Sequence, residues 1–582
     1  MAALKIENLI TDHLDIWTAA VRPKSSAGRG SNSKLELTGI KKLRELILEL
    51  AVRGKLVPQD PSDEPASVLL ERISAEKMRL VKEGKIKKPK ALPEISEEDK
   101  PFELPEGWEW QRLGAIGFTQ TGGTPSKSSQ EYFGNDIPFI KPGDISDTSI
   151  IYDNEGLSTL GAEKLGRLAP AGSILMVCIG TIGKCNKIDR LCAFNQQINS
   201  VTPYVDIYDF LHKCLSSSYF QALAWENSSS TTIAILNKGK WEVQPVPLPP
   251  ISEQHRIVAK VDELMVLCDQ LELRSESQLA AHQTLVEALL ATLTDSTDAD
   301  ELAQNWTRLS SHFDTLFTTE ASIEALKQTI LQLAVMGKLV PQDPSDEPAS
   351  TLMERIALEK LRLAEDAVIK RPKASPKISE EEKKFKLPVG WTWGRLDEIF
   401  NVIADCPHST PKFIDNGYVS LDTSCFKQGI LIKEKFRYVS EETYKARNNR
   451  LTPCTGDIVF AREGSVGESV VIPDGLRCCL GQRVMLFRPS AELNPHFLRL
   501  TISSQMALSV LLSLHKGIGA KHVNVSDMKS YVIALPPAIE QDRIVAKVDE
   551  LMTLCNQLKS RLQTNQQTQL ALAESLVEGA LT

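Results

Sequence analysis

Paired cysteines are missing from this chain. Its eleven cysteines form no CxxC pair, which argues against a zinc ribbon or a disulfide framework and for reduced thiols in a cytosol. No run approaches the roughly 18 consecutive apolar residues of a membrane span. The N-terminal segment carries Glu7, Asp12 and Asp15 and lacks the basic head and apolar block of a secretory signal. An excess of positive charge is missing as well: 67 Lys and Arg face 75 Asp and Glu, a net of −8. Nucleic-acid contacts need Lys and Arg, so any such contact must come from local patches. Hydrophobic content of 42% and charged content of 24% are those of a soluble globular protein. At 582 residues, three or more folded regions are expected.

What the chain does have is repetition. GKLVPQDPSDEPAS at 54–67 recurs unchanged at 337–350, an offset of 283. LPEGWEW at 104–110 recurs as LPVGWTW at 387–393, at the same offset. RIVAKVDELMVLCDQL at 256–271 recurs as RIVAKVDELMTLCNQL at 543–558, 14 of 16 residues identical, at an offset of 287. Between these landmarks, in 111–245 and 394–532, little aligns beyond a few anchors. Near-identical blocks thus alternate with variable ones. Supports that meet the same partner twice stay alike, and domains that bind two different things diverge. Such a chain is a bivalent reader with approximate two-fold symmetry.

The matching blocks read as helices. Ile257, Val261, Leu264, Cys268 and Leu271 step by 4, 3, 4 and 3, and Ile544, Val548, Leu551, Cys555 and Leu558 repeat the steps, which is an a/d seam. Ser252, Glu253 and the preceding Pro249 and Pro250 predict a helix start, and a helix from about Ser252 to Leu293 would span about 60 Å. The seam then meets Ser275, Gln278 and His282, where it splays or meets a partner. Residues 39–53 and 321–336 predict shorter amphipathic helices, and 66–83 and 349–366 further ones after a proline-punctuated turn. The variable blocks hold short β-rich runs, such as 173–179 and 457–461, and predict compact α/β domains with function on their loops. Adjacent Cys478 and Cys479 read as core packing.

The ordered set of motifs resembles the specificity subunit of type I restriction-modification systems over nearly the whole chain. TGGTPSKSSQEYFGNDIPFIKPGDI (121–145), GTIGK and AFNQQ carry the resemblance in the first block. DCPHSTPKFIDNGYVSLDTS (405–424), AREGSVGE and LGQRVMLFRP carry it in the second, and LPPxxEQxRIVAKVDEL opens the helix after each. The resemblance implies an α+β fold: two α/β target recognition domains separated by long antiparallel coiled-coil helices in a pseudo-two-fold tandem repeat. It implies an N-terminal helical region at 1–104, recognition domains at 105–250 and 388–537, a helical spacer at 251–387 and a last helix at 538–582. Each recognition domain would read half of a bipartite double-stranded DNA site, the helices setting the gap. Those helices, through Ile257, Val261, Leu264, Leu271, Ile544, Val548, Leu551 and Leu558, would bind two methyltransferase subunits, and a translocating nuclease subunit would join for restriction. The chain would be cytoplasmic and not an enzyme, with no catalytic residue, metal or cofactor of its own. S-adenosylmethionine would sit on the methyltransferase.

The DNA-contact candidates follow from side-chain chemistry. Residues 105–250 hold 11 Lys and Arg against 14 Asp and Glu, and 388–537 hold 17 against 14, so the second domain is the better phosphate binder. Lys127, Lys141, Lys184, Lys238 and Lys240 are placed in Gly/Ser/Pro/Asn-rich loops, with Thr124 and Ser126 nearby; the bland alternative for each lysine is a solvated surface. Gln196 and Gln197 match the adenine edge, and Arg462 and Arg483 the guanine edge. Gln196 and Gln482 occupy equivalent positions, and the alternative for them is satisfaction of loop backbone. His408, Thr410 and Lys412 lie in a donor-rich loop, with a structural histidine as the alternative. Lys516, Lys521 and Asn524 flank glycines that let the backbone approach a phosphate. Trp108, Trp110, Trp391 and Trp393 repeat in register and read as packing where the domains begin.

Two near-misses bear on catalysis. IGTIGKC (179–185) resembles a P-loop, but Cys178 stands where the first glycine belongs and Cys185 where Ser or Thr belongs. NPHF (494–497) resembles a tetrapeptide of adenine methyltransferases but lacks its second proline, and Asn494–Pro495 reads better as a helix start. The competing readings are a coiled-coil scaffold whose variable domains bind proteins, which predicts no salt-sensitive DNA affinity, and a nucleic-acid enzyme, for which no constellation can be assembled.

Overall fold

The computed structural model describes residues 6–23, 35–126, 128–146, 148–229, 233–297, 299–371, 374–513 and 522–581. Two long helices, Ile251–Asp295 and Ala538–Leu581, start directly after the paired prolines, where a missing N–H costs nothing. At 1.5 Å per residue the first is about 68 Å long. The predicted seam is buried over its first heptads, at Ile257, Val261, Leu264 and Cys268 and again at Ile544, Val548, Leu551 and Cys555. Leu271 and Leu558 are half-buried.

The chain forms two compact units, one holding Met1–Gln278 with Thr564–Thr582, the other Leu279–Gln563. Each long helix is therefore shared between units. The division falls in its polar stretch, 275–282 in one and 563–568 in the other, where the seam has run out of apolar side chains. In the second unit, Val286, Leu290 and Leu293 from the end of the first long helix share one core with Ile544, Val548 and Leu551 from the start of the second. End against start is the antiparallel arrangement.

The N-terminal region repeats the segment that follows the first long helix. Helices Leu14–Ala19 and Phe313–Leu316 each begin at a histidine, His13 and His312, with nearly the same backbone angles (φ −128°, ψ 26° and φ −117°, ψ 19°). Thr38–Val52 then matches Glu320–Val335, and Ala66–Lys82 matches Ala349–Glu365. The long-helix ends are bound alike: Lys55 Nζ donates to Leu581 O at 2.6 Å, and Lys338 Nζ donates to Thr294 O at 2.6 Å and Ser296 O at 2.9 Å.

The identical blocks build the same clamp twice. Trp108 Nε1 donates to Glu253 Oε2 at 2.9 Å and Trp391 Nε1 to Glu540 Oε1 at 3.1 Å. Gln59 and Gln342 donate to the same carboxylates at 3.1 and 3.2 Å. Arg256 pairs with Asp63, and Arg543 with Asp346. Phe102 stacks on Trp110 and Phe385 on Trp393, each with centroids 5.0 Å apart. The tryptophans thus pack where each variable domain begins, as the sequence predicts. Burial raises the pKa of Glu253 and Glu540 above the usual value, so each carboxylate depends on its donors. Trp108→Phe keeps a smaller aromatic ring in place and removes one donor from a buried carboxylate. A loss of about 1.5–3 kcal/mol is expected, the range of a hydrogen bond to a charged group, with the same loss in Trp391→Phe. Denaturant titration of both variants checks it, and unchanged midpoints in both would mean the clamps contribute nothing.

A second duplicated device is an arginine on each opening strand. Arg112 donates to Pro93 O at 3.2 Å, Glu94 O at 2.8 Å, Val243 O at 2.6 Å and Asp99 Oδ2 at 2.7 Å. Arg395 donates to Pro376 O at 3.1 Å, Lys377 O at 3.3 Å, Ser530 O at 2.7 Å and both oxygens of Glu382. Each arginine ties the segment preceding its domain to the domain's last turn.

The variable domains share the topology of their main sheet despite their sequences. Glu109–Arg112 pairs antiparallel with Pro245–Leu248, and Thr392–Arg395 with Val532–Leu535, so each domain closes where it opens. Inside the first, a four-stranded antiparallel sheet runs Gly117–Thr121, Ile198–Pro203, Ile174–Val177, Cys185–Lys187. The second orders Phe400–Asp405, Val484–Pro489, Ile458–Ala461, Ser469–Val471 in the same way. A further sheet in each contains one parallel pairing, Phe133–Ile140 with Cys192–Phe194 and Tyr418–Leu421 with Cys478–Leu480. Cys478 and Cys479 lie on that strand, both buried.

Candidate nucleic-acid interface

The sheets bring two loops together at one edge of each variable domain. In the first, strand Gly117–Thr121 runs into Gly122 and Gly123, against the turn that follows Cys192–Phe194. Gly122 N donates to Ile198 O at 3.0 Å and Gly123 N to Phe194 O at 2.9 Å. The approach is close: a Cβ on Gly122 would stand 2.2 Å from Asn195 O and 2.3 Å from Phe194 O. Arg167 Nη1 donates to Gly122 O at 2.9 Å and to Thr121 O at 3.2 Å, fixing the loop from its other side.

Across this junction Thr124 Oγ1 donates to Gln196 Oε1. In the second domain Thr410 Oγ1 donates to Gln482 Oε1 at 3.1 Å, and the separation of 72 residues is the same. Gln482 Nε2 also donates to His408 O at 2.9 Å. These glutamines hold loop to loop, which for Gln482 includes the backbone role weighed against base contact. The residues after them differ. Gln197 is half-buried, its amide oxygen accepting from Asn195 Nδ2 at 3.1 Å. Arg483 is exposed and sits in the left-handed region at φ 64°, its Nε 3.9 Å from Glu463. Arg462 pairs with Asp405, whose carboxylate also lies 3.5 Å from His408 Nε2.

The remaining candidates fall out as follows. Lys184 and Lys412 are exposed, with no ion pair among the described residues. Lys141 pairs with Glu155. Lys238 and Lys240 are corrected from loop to helix: Lys238–Glu242 is a short helix because the Asn237 side chain caps Lys240 N. Lys238 pairs with Glu242 four residues on, and Lys240 Nζ donates to Asn227 O at 3.1 Å. Ser126 is exposed beside Ser128. Asn524 precedes helix Val525–Ser530, its Nδ2 3.2 Å from Asp527. Lys127, Lys516 and Lys521 lie outside the described residues. On the helices, the eight seam positions are buried or half-buried within their own units.

Three residues that position this edge were not picked out from the sequence: Asp405, Arg167 and Arg447. Arg447 donates to Leu480 O at 2.8 Å, Ser409 O at 3.0 Å, Gly481 O at 3.2 Å and Pro407 O at 3.3 Å, so one guanidinium holds both loops of the second domain. All three lie in 111–245 and 394–532, where little of the two copies aligns in sequence, so the repeat could not flag them.

The two sequence near-misses take other local structures. Ile179–Cys185 is a turn between two antiparallel strands with Gly180 and Gly183 at positive φ, not the strand-to-helix cradle of a P-loop. Asn494 caps helix Pro495–Ile502 through His496 N and Phe497 N, as its reading as a helix start requires. Burial pushes the Cys178 thiol up to about 12 and the His212 imidazole down to about 4, so neither is primed for catalysis at neutral pH. No cluster of three potential metal ligands occurs among the described residues. None of the described helices is long and apolar enough to cross a membrane.

Comparison with known proteins gives a consistent picture. The domain family described as Type I restriction modification DNA specificity domain matches residues 105–280 and 388–567. The Type I restriction enzyme EcoAI specificity subunit of Escherichia coli is 42% identical over 598 residues, covering 99% of this chain and 100% of its own. The EcoEI specificity subunit, also of Escherichia coli, is 41% identical over 611 residues, covering 99% and 100%. Among solved structures, the HsdS subunit from Thermoanaerobacter tengcongensis is 18% identical with a TM-score of 0.38, covering 83% of this chain and 98% of that one.

Proposed function

This chain belongs to the DNA specificity subunits of type I restriction-modification systems, and from that membership we propose that it reads a two-part duplex target, one variable domain to each half, without chemistry of its own. The reading is carried by one observation. Both variable domains hold the same Thr–Gln latch, 72 residues apart, and present a different residue directly after it, Gln197 in one and Arg483 in the other. An identical latch is scaffold; a changing neighbour is what two different half-sites require. Amide and guanidinium side chains are the ones that match adenine and guanine edges in the major groove. Two modest readers on one chain gain affinity through effective concentration.

In this reading the helical segments engage two methyltransferase subunits, which bind S-adenosylmethionine and place the methyl group, and a translocating nuclease subunit joins them for cleavage in the cytoplasm. The test is to sequence the methylome of cells carrying this chain with its methyltransferase subunit, against cells lacking only this chain. A bipartite methylated-adenine motif that appears only with the chain is expected. Assembly of the complex with no new motif would favour a protein-binding scaffold instead.

Arg483→Ala is expected to relax one base position in the half-site read by residues 388–537. The predicted loss is about 1–3 kcal/mol of discrimination there, with the other half-site unchanged. Competition binding with single-base variants of the target measures it. An equal loss against every sequence would instead make Arg483 a phosphate contact.

A further inference from the structure

The first variable domain is short of free cations. Lys141, Lys187, Lys213, Lys238, Arg112 and Arg190 are each paired with a carboxylate, and Lys240 and Arg167 are held by backbone carbonyls. Among the described cations of 105–250, Lys164 and Lys184 alone have no polar partner. A domain that nets −3 and uses its lysines internally holds a polyanion poorly.

Just ahead of the domain lies the opposite situation. GKIKKPKA at 84–91 carries four lysines and no acid, and IKRPKA recurs at 369–374. Lys85 pairs with Glu83, whereas Lys87, Lys88 and Lys90 are exposed with no ion-pair partner among the described residues, as are Lys370 and Arg371. The neighbouring helix has changed between copies, with Lys82 and Lys85 matched by Glu365 and Val368, but the basic motif has not. Nor is it a loose linker. Ile86, Pro89, Leu92 and Ile95 are half-buried at three-residue steps, the period of an extended polyproline-type strand, so the lysines between them point outward. Leu92 packs within reach of Gly114, and Arg112 fastens Pro93 and Glu94 to the domain. The second copy is fastened by Arg395 in the same way.

We propose that the first of these straps is a phosphate grip: it binds the duplex backbone beside the half-site read by the domain to which it is fastened. This rests on the reading of the chain as a DNA specificity subunit. From Lys87 to Lys90 an extended strand covers about 9 Å at 3.1 Å per residue, enough to lie beside consecutive phosphates of one strand. Fastening lowers the ordering cost of binding. Phosphates carry no sequence information, so two domains with different half-sites can share one strap sequence.

The test uses the full chain assembled with its methyltransferase subunits, the triple variant Lys87→Gln, Lys88→Gln, Lys90→Gln, and two duplexes, the target and a scrambled one, titrated from 50 to 200 mM salt. Three lost phosphate contacts make the slope of log affinity against log salt shallower by about 2.7. Wild type then loses about 40-fold more affinity than the variant over that range, on both duplexes alike. An unchanged slope overturns the grip. So does loss of assembly with the methyltransferase at unchanged slope, which would assign the strap to an acidic protein surface. A wild-type complex that binds both duplexes equally sinks the reading of the chain as a sequence reader, yet the slope difference still decides the strap.

Discussion

Arg112→Ala is expected to cost about 3–5 kcal/mol, because three backbone carbonyls lose a charged hydrogen-bond donor at once, each such bond being worth about 1.5–3 kcal/mol. The side chain is 9% exposed and donates to three carbonyls and a carboxylate. Without it, Pro93 O, Glu94 O and Val243 O lose a charged donor together. Arg112→Lys should recover little, since one ammonium cannot reproduce the planar fork that spans these acceptors. Arg395→Ala should do the same to the second unit. Hydrogen exchange is the suitable readout, because a chain of several domains need not melt in one step. Protection should fall first in 86–99 for one variant and in 369–382 for the other; loss spread evenly over both units would refute the assignment. Acid offers an independent check. Hydrogen bonding from Arg395 chiefly holds the Glu382 carboxyl down, at about 2. A depressed carboxylate contributes stability that is complete above its unfolded value near 4.5 and is lost as pH falls toward about 2. Arg395→Ala should weaken that dependence, leaving the part that the hydrogen bonds from Ser379 sustain.

Gly122→Ala should abolish reading of one half-site and leave the other intact. The added methyl meets two carbonyl oxygens at 2.2 and 2.3 Å, both backbone, so neither can swing away. The Gly122–Gly123 loop would be driven off the 194–197 turn and Thr124 off Gln196. Overpacking of this kind costs about 1–3 kcal/mol, occasionally more, and here the strain falls on the edge proposed to read bases. With the matching methyltransferase, methylation at target sites should fall by an order of magnitude or more. Domain 388–537 should still bind its own half in a duplex that carries only that half. A variant that keeps normal methylation would show that the edge beside Gly122 does not touch DNA.

The helices were legible because their signals are local and long. The seam from Ile257 and Ile544 and the prolines before it act within a few residues. The repeat made every one of the identical blocks visible twice. The variable domains were legible only as α/β in texture. Their strands are two to eight residues long, and the shared main-sheet topology rests on pairings such as Val177 with Ile198 and Ala461 with Val484, which sequence spacing does not announce. Lys238 and Lys240 read as loop because a five-residue helix capped by Asn237 has too few turns to show a period. The Thr–Gln latch was visible as two separate candidates, Thr124 with Gln196 and Thr410 with Gln482, but their pairing needed the fold. Arg167 and Arg447 act on backbone carbonyls, and a carbonyl leaves no mark in a sequence.

The shared long helices also set an order of events during synthesis. The second unit is one continuous stretch, 279–563, and can close as soon as it has been made. The first unit is not: residues 564–582 belong to it, and they are translated only after the whole of the second. At about 5–20 residues per second, residues up to 278 wait on the order of 15–60 s for the helix end that Lys55 holds through Leu581 O and that Lys42 holds through Glu574. During that interval the contacts of Lys42 and Lys55 with the last helix cannot form. The half of the protein that emerges first is thus the half completed last.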